Sequence, residues 1–168
     1  GSDAFARVWA GILAAEEARL TPLKLNVVML RGVNDEEVPD FARLTQERAW
    51  HIRFIELMPV GVSEAARDYF NQHFISAQEW QARLPALQEV DAPLGNGPAR
   101  IYRLLNASGT IGYITPASQH FCAACNRLRL TARGALRPCL FSDRVIETGG
   151  AAAAQLPALF AAAARAKP

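Results

Sequence analysis

The first sixty residues alternate between helical and strand-like patterns of apolar positions. Apolar residues recur at helical spacing in residues 2–20, and a second helical pattern at 34–49 opens with an Asn/Asp cap and an acidic first turn. The apolar runs "LKLNVVML" (23–30) and "WHIRFIELM" (50–58) predict two buried strands. Helices and strands that alternate with short connections are typical of βα units and predict a parallel sheet.

The pattern changes after residue 60. Residues 62–75 predict a loop, "SAQEW" predicts a short helix with a capping box, and residues 151–166 predict an Ala-rich helix. Four short strand-like pieces lie between turns: "ARIYRLL", "GTIGYIT", "NRLRLTA" and "GALRPCL". We therefore predict an α/β protein with a βα fragment at residues 1–60 and a small β-rich, cysteine-containing module at residues 61–168.

The βα fragment supplies only two strands, fewer than a parallel sheet covered on both faces needs. This predicts a chain that begins inside a barrel or a doubly wound domain. The two strands and their helices should then expose apolar edges, which favours aggregation or a homodimer.

Composition narrows the classes of function. The chain has 168 residues, of which 51% are hydrophobic and 20% charged, as in ordinary globular proteins. A net charge of +2 argues against a general nucleic-acid partner but leaves room for a local basic patch. No apolar run approaches the roughly 18 residues of a membrane span, and no secretory signal is visible. Three clustered cysteines fit a reducing compartment, so the expected location is the cytoplasm.

All three cysteines lie in "HFCAACNRLRLTARGALRPCL" (120–140). Cys122 and Cys125 form a C-x2-C pair, and Cys139 follows after thirteen residues. This spacing favours a metal site over three buried small side chains or a redox dithiol. Zinc would require a fourth ligand, for which His120 is the nearest candidate, whereas an iron–sulfur cluster held by three thiolates would leave one iron open. The spacing alone does not decide between the two metals.

Two arginines follow the C-x2-C pair. On a strand, Arg127 and Arg129 would share one face while Leu128 points to the other. Two guanidinium groups beside a metal suit a polyanion such as a phosphate chain. The alternative is an ordinary solvated basic face.

Charged residues also interrupt the two predicted strands. Lys24, with Asn26 on the same face, is costly in an apolar strand unless it points into a polar cavity or extends to solvent at the strand end. Arg53 raises the same question, with an ion pair to Glu56 as the simpler interpretation. Met58, at the end of its strand, is expected to pack against the core or its rim.

Five stretches, in order, resemble one known family. They are "LKLNVVMLRGVNDEEVPDFARLT", "WHIRFIELMPVG", "GNGPARIYRL", "GTIGYITPAS" and "HFCAACNRLRLTARGALRPCLF". They are similar to the C-terminal half of the GTP 3′,8-cyclases, radical S-adenosylmethionine (AdoMet) enzymes of molybdenum cofactor biosynthesis. The resemblance implies the C-terminal part of an incomplete TIM-type (βα) barrel followed by a cysteine-containing module.

The resemblance also implies roles for individual residues. A [4Fe-4S] cluster would be held by Cys122, Cys125 and Cys139, with its fourth iron left for the guanine of GTP. Met58 would line the AdoMet site. The residues implied to contact GTP are Lys24, Arg53, Arg127, Leu128 and Arg129.

The complete enzyme implied by the resemblance converts GTP to (8S)-3′,8-cyclo-7,8-dihydroguanosine 5′-triphosphate and passes it to the cyclic pyranopterin monophosphate synthase. It would need AdoMet and a second [4Fe-4S] cluster, whose C-x3-C-x2-C motif is not in these 168 residues. We therefore expect the chain alone to be inactive. The sequence after "CLFSD" departs from the family pattern, which leaves the role of the last helix undefined. Two alternatives stay open, a non-catalytic GTP-binding iron–sulfur module and a structural zinc module.

Overall fold

The computed structural model describes residues 2–60, 63–90, 97–122 and 125–167. The helices in these ranges are α1 (Ser2–Glu17), α2 (Val38–Glu47), α3 (Glu64–His73), α4 (Ala77–Gln81) and α5 (Leu156–Arg165). The strands are β1 (Lys24–Met29), β2 (His51–Glu56), β3 (Leu87–Glu89), β4 (Arg100–Leu104), β5 (Thr110–Ile114), β6 (Arg129–Leu130) and β7 (Leu136–Arg137). Short 3₁₀ turns precede α2 and α5.

Five strands form one mixed sheet in the order β1-β2-β5-β4-β3. β1, β2 and β5 are parallel, whereas β4 and β3 add to the sheet in antiparallel orientation. The predicted α/β class and the parallel pairing of β1 with β2 are confirmed. The barrel stays a prediction.

Local sequence signals explain where two of the helices begin. An acidic turn at Asp35–Glu37 precedes α2, and a proline in the first turn of that helix removes an N–H that would have no helical partner. α4 begins with the predicted capping box, in which Ser76 accepts a hydrogen bond from the Glu79 backbone and the Glu79 carboxylate accepts one from Ser76 N–H at 3.1 Å.

The predicted loop at 62–75 is wrong for most of its length, because residues Glu64–His73 form α3. Ala66, Phe70 and His73 are the half-buried positions of this helix, and they recur at helical spacing. Only two of these three side chains are apolar, so the helical period is weak in the sequence and the polar residues around it favour a loop.

The core lies on one face of the five-stranded sheet. Phe54 at its centre packs against Phe41, Trp80 and Tyr113, with ring centroids 5.4–6.4 Å apart. The other fully or nearly buried members of this cluster are Met29, Val38, Ala42, Trp50, Ile52, Ile75, Ala77, Leu104 and Ile111. The core therefore joins the sheet to residues of α2 and α4.

The two apolar strands are buried on one face only, contrary to prediction. Lys24, Asn26 and Val28 of β1 are exposed, and β2 alternates between half-buried and buried residues. The apolar runs nevertheless predicted the strands themselves correctly.

The chain forms two compact units. The first unit contains Gly1–Met58 and Tyr69–Gln119, and the second contains Pro59–Asp68 and His120–Pro168. A boundary at residue 60 was expected, but β5 pairs with β2, so the sheet continues well beyond that residue. In the second unit β6 and β7 are antiparallel, and the turn between them includes Gly134 at a φ of +85°, a conformation that favours glycine.

Candidate functional site

The face of the sheet opposite the core is polar, and we call it the open face. Alternation along each strand brings to this face Lys24, Asn26 and Val28 of β1, His51, Arg53 and Ile55 of β2, Thr110, Gly112 and Ile114 of β5, Ile101 and Arg103 of β4, and Gln88 of β3. Four of these side chains are basic or imidazole groups and none is acidic. The open face therefore suits an anionic ligand.

Lys24 and Arg53, both predicted to contact GTP, lie on the open face of neighbouring strands. Lys24 pairs with His51, and Arg53 pairs with Asn26 on one side and Gly112 on the other. A Cβ at Gly112 would lie 3.0 Å from Arg53 Cγ, so the glycine leaves room for the arginine stem. Arg53 Nε is buried and has no hydrogen-bond partner among the described residues.

His51 lies between these charges. Its Nδ1 is 2.7 Å from the Thr110 hydroxyl oxygen, which fixes the orientation of the ring. Burial lowers the pKa of His51 below its usual 6.5, and the positive charges of Lys24, Arg53 and Arg103 lower it further. The imidazole is therefore mainly neutral at pH 7.

Glu56 does not pair with Arg53, because the two side chains lie on opposite faces of β2. The Glu56 carboxylate is completely buried and accepts hydrogen bonds from the backbone N–H groups of Ala77, Ala117 and Ser118 at 2.9–3.0 Å, and from the Ser118 hydroxyl. It joins the end of β2 to the start of α4 and to the segment after β5. Met58 is half-buried two residues beyond the end of this strand.

The cysteines occupy different local environments in the second unit. Cys122 is exposed, and its carbonyl accepts the Cys125 N–H at 3.1 Å. Cys125 and Cys139 are half-buried. The Cys139 sulfur accepts the Phe141 N–H at 3.4 Å. His120, the candidate fourth ligand for zinc, is exposed.

Cys125 is the thiol with the clearest electrostatic partner. Lys167 Nζ donates to the Cys125 carbonyl at 2.7 Å and lies 3.3 Å from its sulfur. A hydrogen bond from the Arg127 backbone and the Lys167 ammonium lower the pKa of the Cys125 thiol. Cys125 is thereby favoured as a thiolate, the form that binds metals.

Arg127 and Arg129 were predicted to lie on one strand, and this prediction is wrong. β6 contains only Arg129 and Leu130, so the alternation rule does not relate the two arginines. Arg129 pairs with Arg137 in the hairpin, whereas the guanidinium carbon of Arg127 lies 5.9 Å from the centre of the Phe121 ring. Leu128 is half-buried between them.

The predicted metal ligands do not come together among the described residues. Across the four described ranges, no three His, Cys, Asp or Glu side chains lie close enough together to hold a metal ion. The donor set is chemically suited to a soft metal or an iron–sulfur cluster, but its side chains do not converge in this structure. The assignment of the three cysteines as ligands therefore stays a prediction.

Comparison with known proteins identifies the family. Residues 50–168 match the family described as Molybdenum Cofactor Synthesis C. The chain belongs to this family. The Molybdenum Cofactor Synthesis C region includes β2–β7, the open-face residues His51, Arg53 and Arg103, and all three cysteines.

Several curated relatives extend this similarity over nearly the whole chain. The GTP 3′,8-cyclase of Moorella thermoacetica is 47% identical over 169 residues, which covers 96% of this chain and 51% of the relative. The proteins of the same name from Heliobacterium modesticaldum and Gloeobacter violaceus are 46% and 45% identical, over 96% and 93% of the chain. The chain spans about half the length of the curated relatives it matches. In the described ranges, no helix is both long and apolar enough to cross a membrane.

Sequence reasoning did not single out Arg103, His51 or Lys167. Arg103 belongs to the open face only because β5 and β4 join the sheet beside β2, and this pairing is not encoded in any local pattern. His51 lies two residues before Arg53 on the same strand, so alternation along "HIRFIE" was the available signal for it. Lys167 contacts a cysteine 42 residues earlier, and no local pattern indicates such a contact.

Proposed function

We propose that this chain is the C-terminal half of a GTP 3′,8-cyclase, an enzyme that converts GTP to (8S)-3′,8-cyclo-7,8-dihydroguanosine 5′-triphosphate in molybdenum cofactor biosynthesis. The observation that carries the proposal is the 47% identity to the GTP 3′,8-cyclase of Moorella thermoacetica over 96% of the chain. The match of residues 50–168 to the Molybdenum Cofactor Synthesis C family supports the same pathway.

The open face supports GTP as the substrate. Lys24 and Arg53 are neighbours on one face of β1 and β2, and the strand positions that share this face carry no acidic side chain. A nucleoside triphosphate is a polyanion that such residues bind with charge-assisted hydrogen bonds. We assign the same role, residue by residue, to Arg127, Leu128 and Arg129 in the second unit.

We further propose that Cys122, Cys125 and Cys139 hold a [4Fe-4S] cluster, which would supply an open iron for the guanine base. The support is the donor set and the Lys167 ammonium that favours a thiolate at Cys125. We derive no step through the cluster, because these side chains do not converge in the described structure. Met58 is assigned to the AdoMet site, and AdoMet with a second cluster would supply the radical from residues outside these 168.

The direct test is anaerobic turnover by the protein at its full natural length. After reconstitution with iron and sulfide, GTP and AdoMet should yield the 3′,8-cyclised nucleotide, detected by mass spectrometry. Cys139→Ser should lose the product and up to about half of the iron and sulfide per protein, because one of the two proposed clusters would lose a ligand. Failure of the natural protein to consume GTP would refute the proposal, as would uptake of zinc without sulfide.

The segment itself gives a second test. The isolated 168 residues contain no C-x3-C-x2-C motif, so they should form no cyclised product even when reconstituted. Addition of GTP to the reconstituted segment should still change the spectrum of the cluster. Cyclisation by the segment alone would contradict the proposal that residues outside these 168 generate the radical while this segment binds GTP. A homodimer and transfer of the product to the cyclic pyranopterin monophosphate synthase are part of the same proposal.

A further inference from the structure

One row of side chains crosses the open face from β1 to β4. Lys24 pairs with His51, and His51 pairs with Thr110. Arg103 continues the row on β4, because it alternates with Tyr102 and pairs with Gln88 of β3. Lys24 and Arg103 are three strand spacings apart, about 14 Å.

The basic side chains of the open face all affect His51. Burial lowers the pKa of His51 most, and the positive charges of Lys24, Arg53 and Arg103, from β1, β2 and β4, lower it further. Thr110 on β5 holds the His51 ring by its hydroxyl. Basic groups from three strands therefore act on His51.

The two arginines of the open face form no ion pair with the described residues. Arg53 and Arg103 take part in none of the ion pairs formed within the described residues. The strand positions that share the open face are apolar, amide, hydroxyl or glycine residues. Unpaired arginines on a polar surface that lacks acidic side chains suit an anionic ligand from outside the chain.

Arg53 is held in place for such a ligand. Its stem lies over Gly112, where any side chain would contact Cγ at 3.0 Å, and its Nε is buried without a partner in the described structure. A buried guanidinium nitrogen without a partner is unusual in proteins. A bound oxyanion would provide the missing acceptor.

We propose that Arg103 and His51 are phosphate-binding residues, which complete with Lys24 and Arg53 a four-residue site for the triphosphate group of the nucleotide. This inference deepens the proposed function and rests on it for the identity of the nucleotide. The site offers positive charge and N–H donors, which match phosphate oxygens. We therefore assign it to the phosphates and not to the guanine base.

The test compares two arginines of the same strand in the protein at its full natural length. Arg103→Gln should weaken binding of GTP and of inorganic tripolyphosphate about tenfold, because one charge-assisted contact is lost. Binding of guanosine should be unchanged. Arg100→Gln removes the same charge from β4, but Arg100 pairs with Tyr113 and lies on the other side of the strand. This control should change binding less than twofold at about 0.15 M salt, where distant surface charges are screened.

Two further measurements keep the inference testable if Arg103→Gln is unstable. Arg103→Lys keeps the charge and should retain most of the tripolyphosphate binding. In the unaltered protein, tripolyphosphate should shift the NMR signals of the His51 ring, which a purely structural histidine would not show. Equal binding by the Arg103→Gln and Arg100→Gln variants, or His51 signals that do not move, would overturn the inference.

The outcomes also separate this inference from the proposed function. If the natural protein cyclises GTP but Arg103→Gln binds it normally, only the phosphate site is refuted. If the protein binds tripolyphosphate through Arg103 but does not bind or cyclise GTP, the phosphate site stands and the proposed function fails. Loss of guanosine binding in Arg103→Gln would count against the phosphate assignment.

Discussion

The two units of the chain differ most in how much apolar surface they bury. The first unit has a continuous core of aromatic and aliphatic side chains on one face of a five-stranded sheet. In the described part of the second unit, the buried hydrophobic residues are Ala135, Leu136 and Ala163, while Leu130, Phe141, Val145, Leu156 and Phe160 are exposed. The second unit nevertheless carries all three cysteines.

This difference suggests different sources of stability. A sheet with a complete core can expose polar residues on its other face at little cost, as the first unit does with Lys24 and Arg103. Small modules with little core commonly depend on a metal or a disulfide. If Cys122, Cys125 and Cys139 bind the proposed cluster, it would add stability that the small core of the second unit does not supply. The following predictions compare the two units.

The largest effect is expected when a buried phenylalanine of the first unit is replaced, and an exposed phenylalanine of the second unit serves as the matched control. Phe54→Ala should lower the free energy of unfolding by about 3–5 kcal/mol, because Phe54 is fully buried and its removal leaves a cavity. Phe160→Ala should lower it by less than about 1 kcal/mol, since Phe160 is 48% exposed. Urea denaturation of each variant measures both values. Equal losses would remove the contrast between the units.

The next effect concerns the buried carboxylate of the first unit. Glu56→Gln should lower the free energy of unfolding by about 2–3 kcal/mol, because an amide NH₂ would face backbone N–H donors that now bind a carboxylate. The exposed Glu89→Gln serves as the control for loss of one negative charge. Similar unfolding midpoints for the two variants would show that the hydrogen bonds of Glu56 contribute little.

In the second unit, Lys167→Ala should slow alkylation of Cys125 several-fold. The lysine lowers the pKa of this thiol, so its removal raises the pKa and leaves less thiolate at pH 7–8. Reaction with iodoacetamide, followed by peptide mass spectrometry, reports Cys125 separately from Cys122 and Cys139. Arg165→Ala removes a nearby exposed charge and should leave the rate unchanged. A slower rate in both variants would contradict a specific role for Lys167.

The smallest effect is a pH dependence of stability from the open face. The pKa of His51 is lower in the folded chain than the usual 6.5, so the unfolded chain binds more protons as pH falls. The contribution of His51 to stability is complete above about pH 6.5 and is lost as pH falls through and below that value. Between pH 8 and pH 5, the free energy of unfolding of His51→Gln should change less steeply with pH than that of the unaltered protein. Urea denaturation at each pH measures this slope. His120→Gln is the control for loss of an exposed histidine, and an identical slope in all three proteins would refute the effect.

Local sequence signals were sufficient for much of the secondary structure. The strands at residues 24–29 and 51–56 follow from runs of β-branched and aromatic residues, and α4 follows from its capping box. α3 was missed because its apolar positions are few, although the helix forms from Glu64 to His73. The alternation in β1 was hidden because Val28 remains apolar although it is 42% exposed.

The sequence by itself determined the α/β class, the family and the residue types available for chemistry: Lys24, Arg53, the arginines after the C-x2-C pair, and three cysteines. These features depend on neighbouring residues or on the order of motifs, which the chain encodes directly. Only the tertiary structure decided that β5 and β4 follow β2 in the sheet, that Arg103 joins His51 and Arg53 on one face, and that Glu56 is bound by backbone N–H groups from two distant segments. Strand order and long-range contacts depend on the packing of the whole core, because residues far apart in the sequence must become neighbours before those interactions can form.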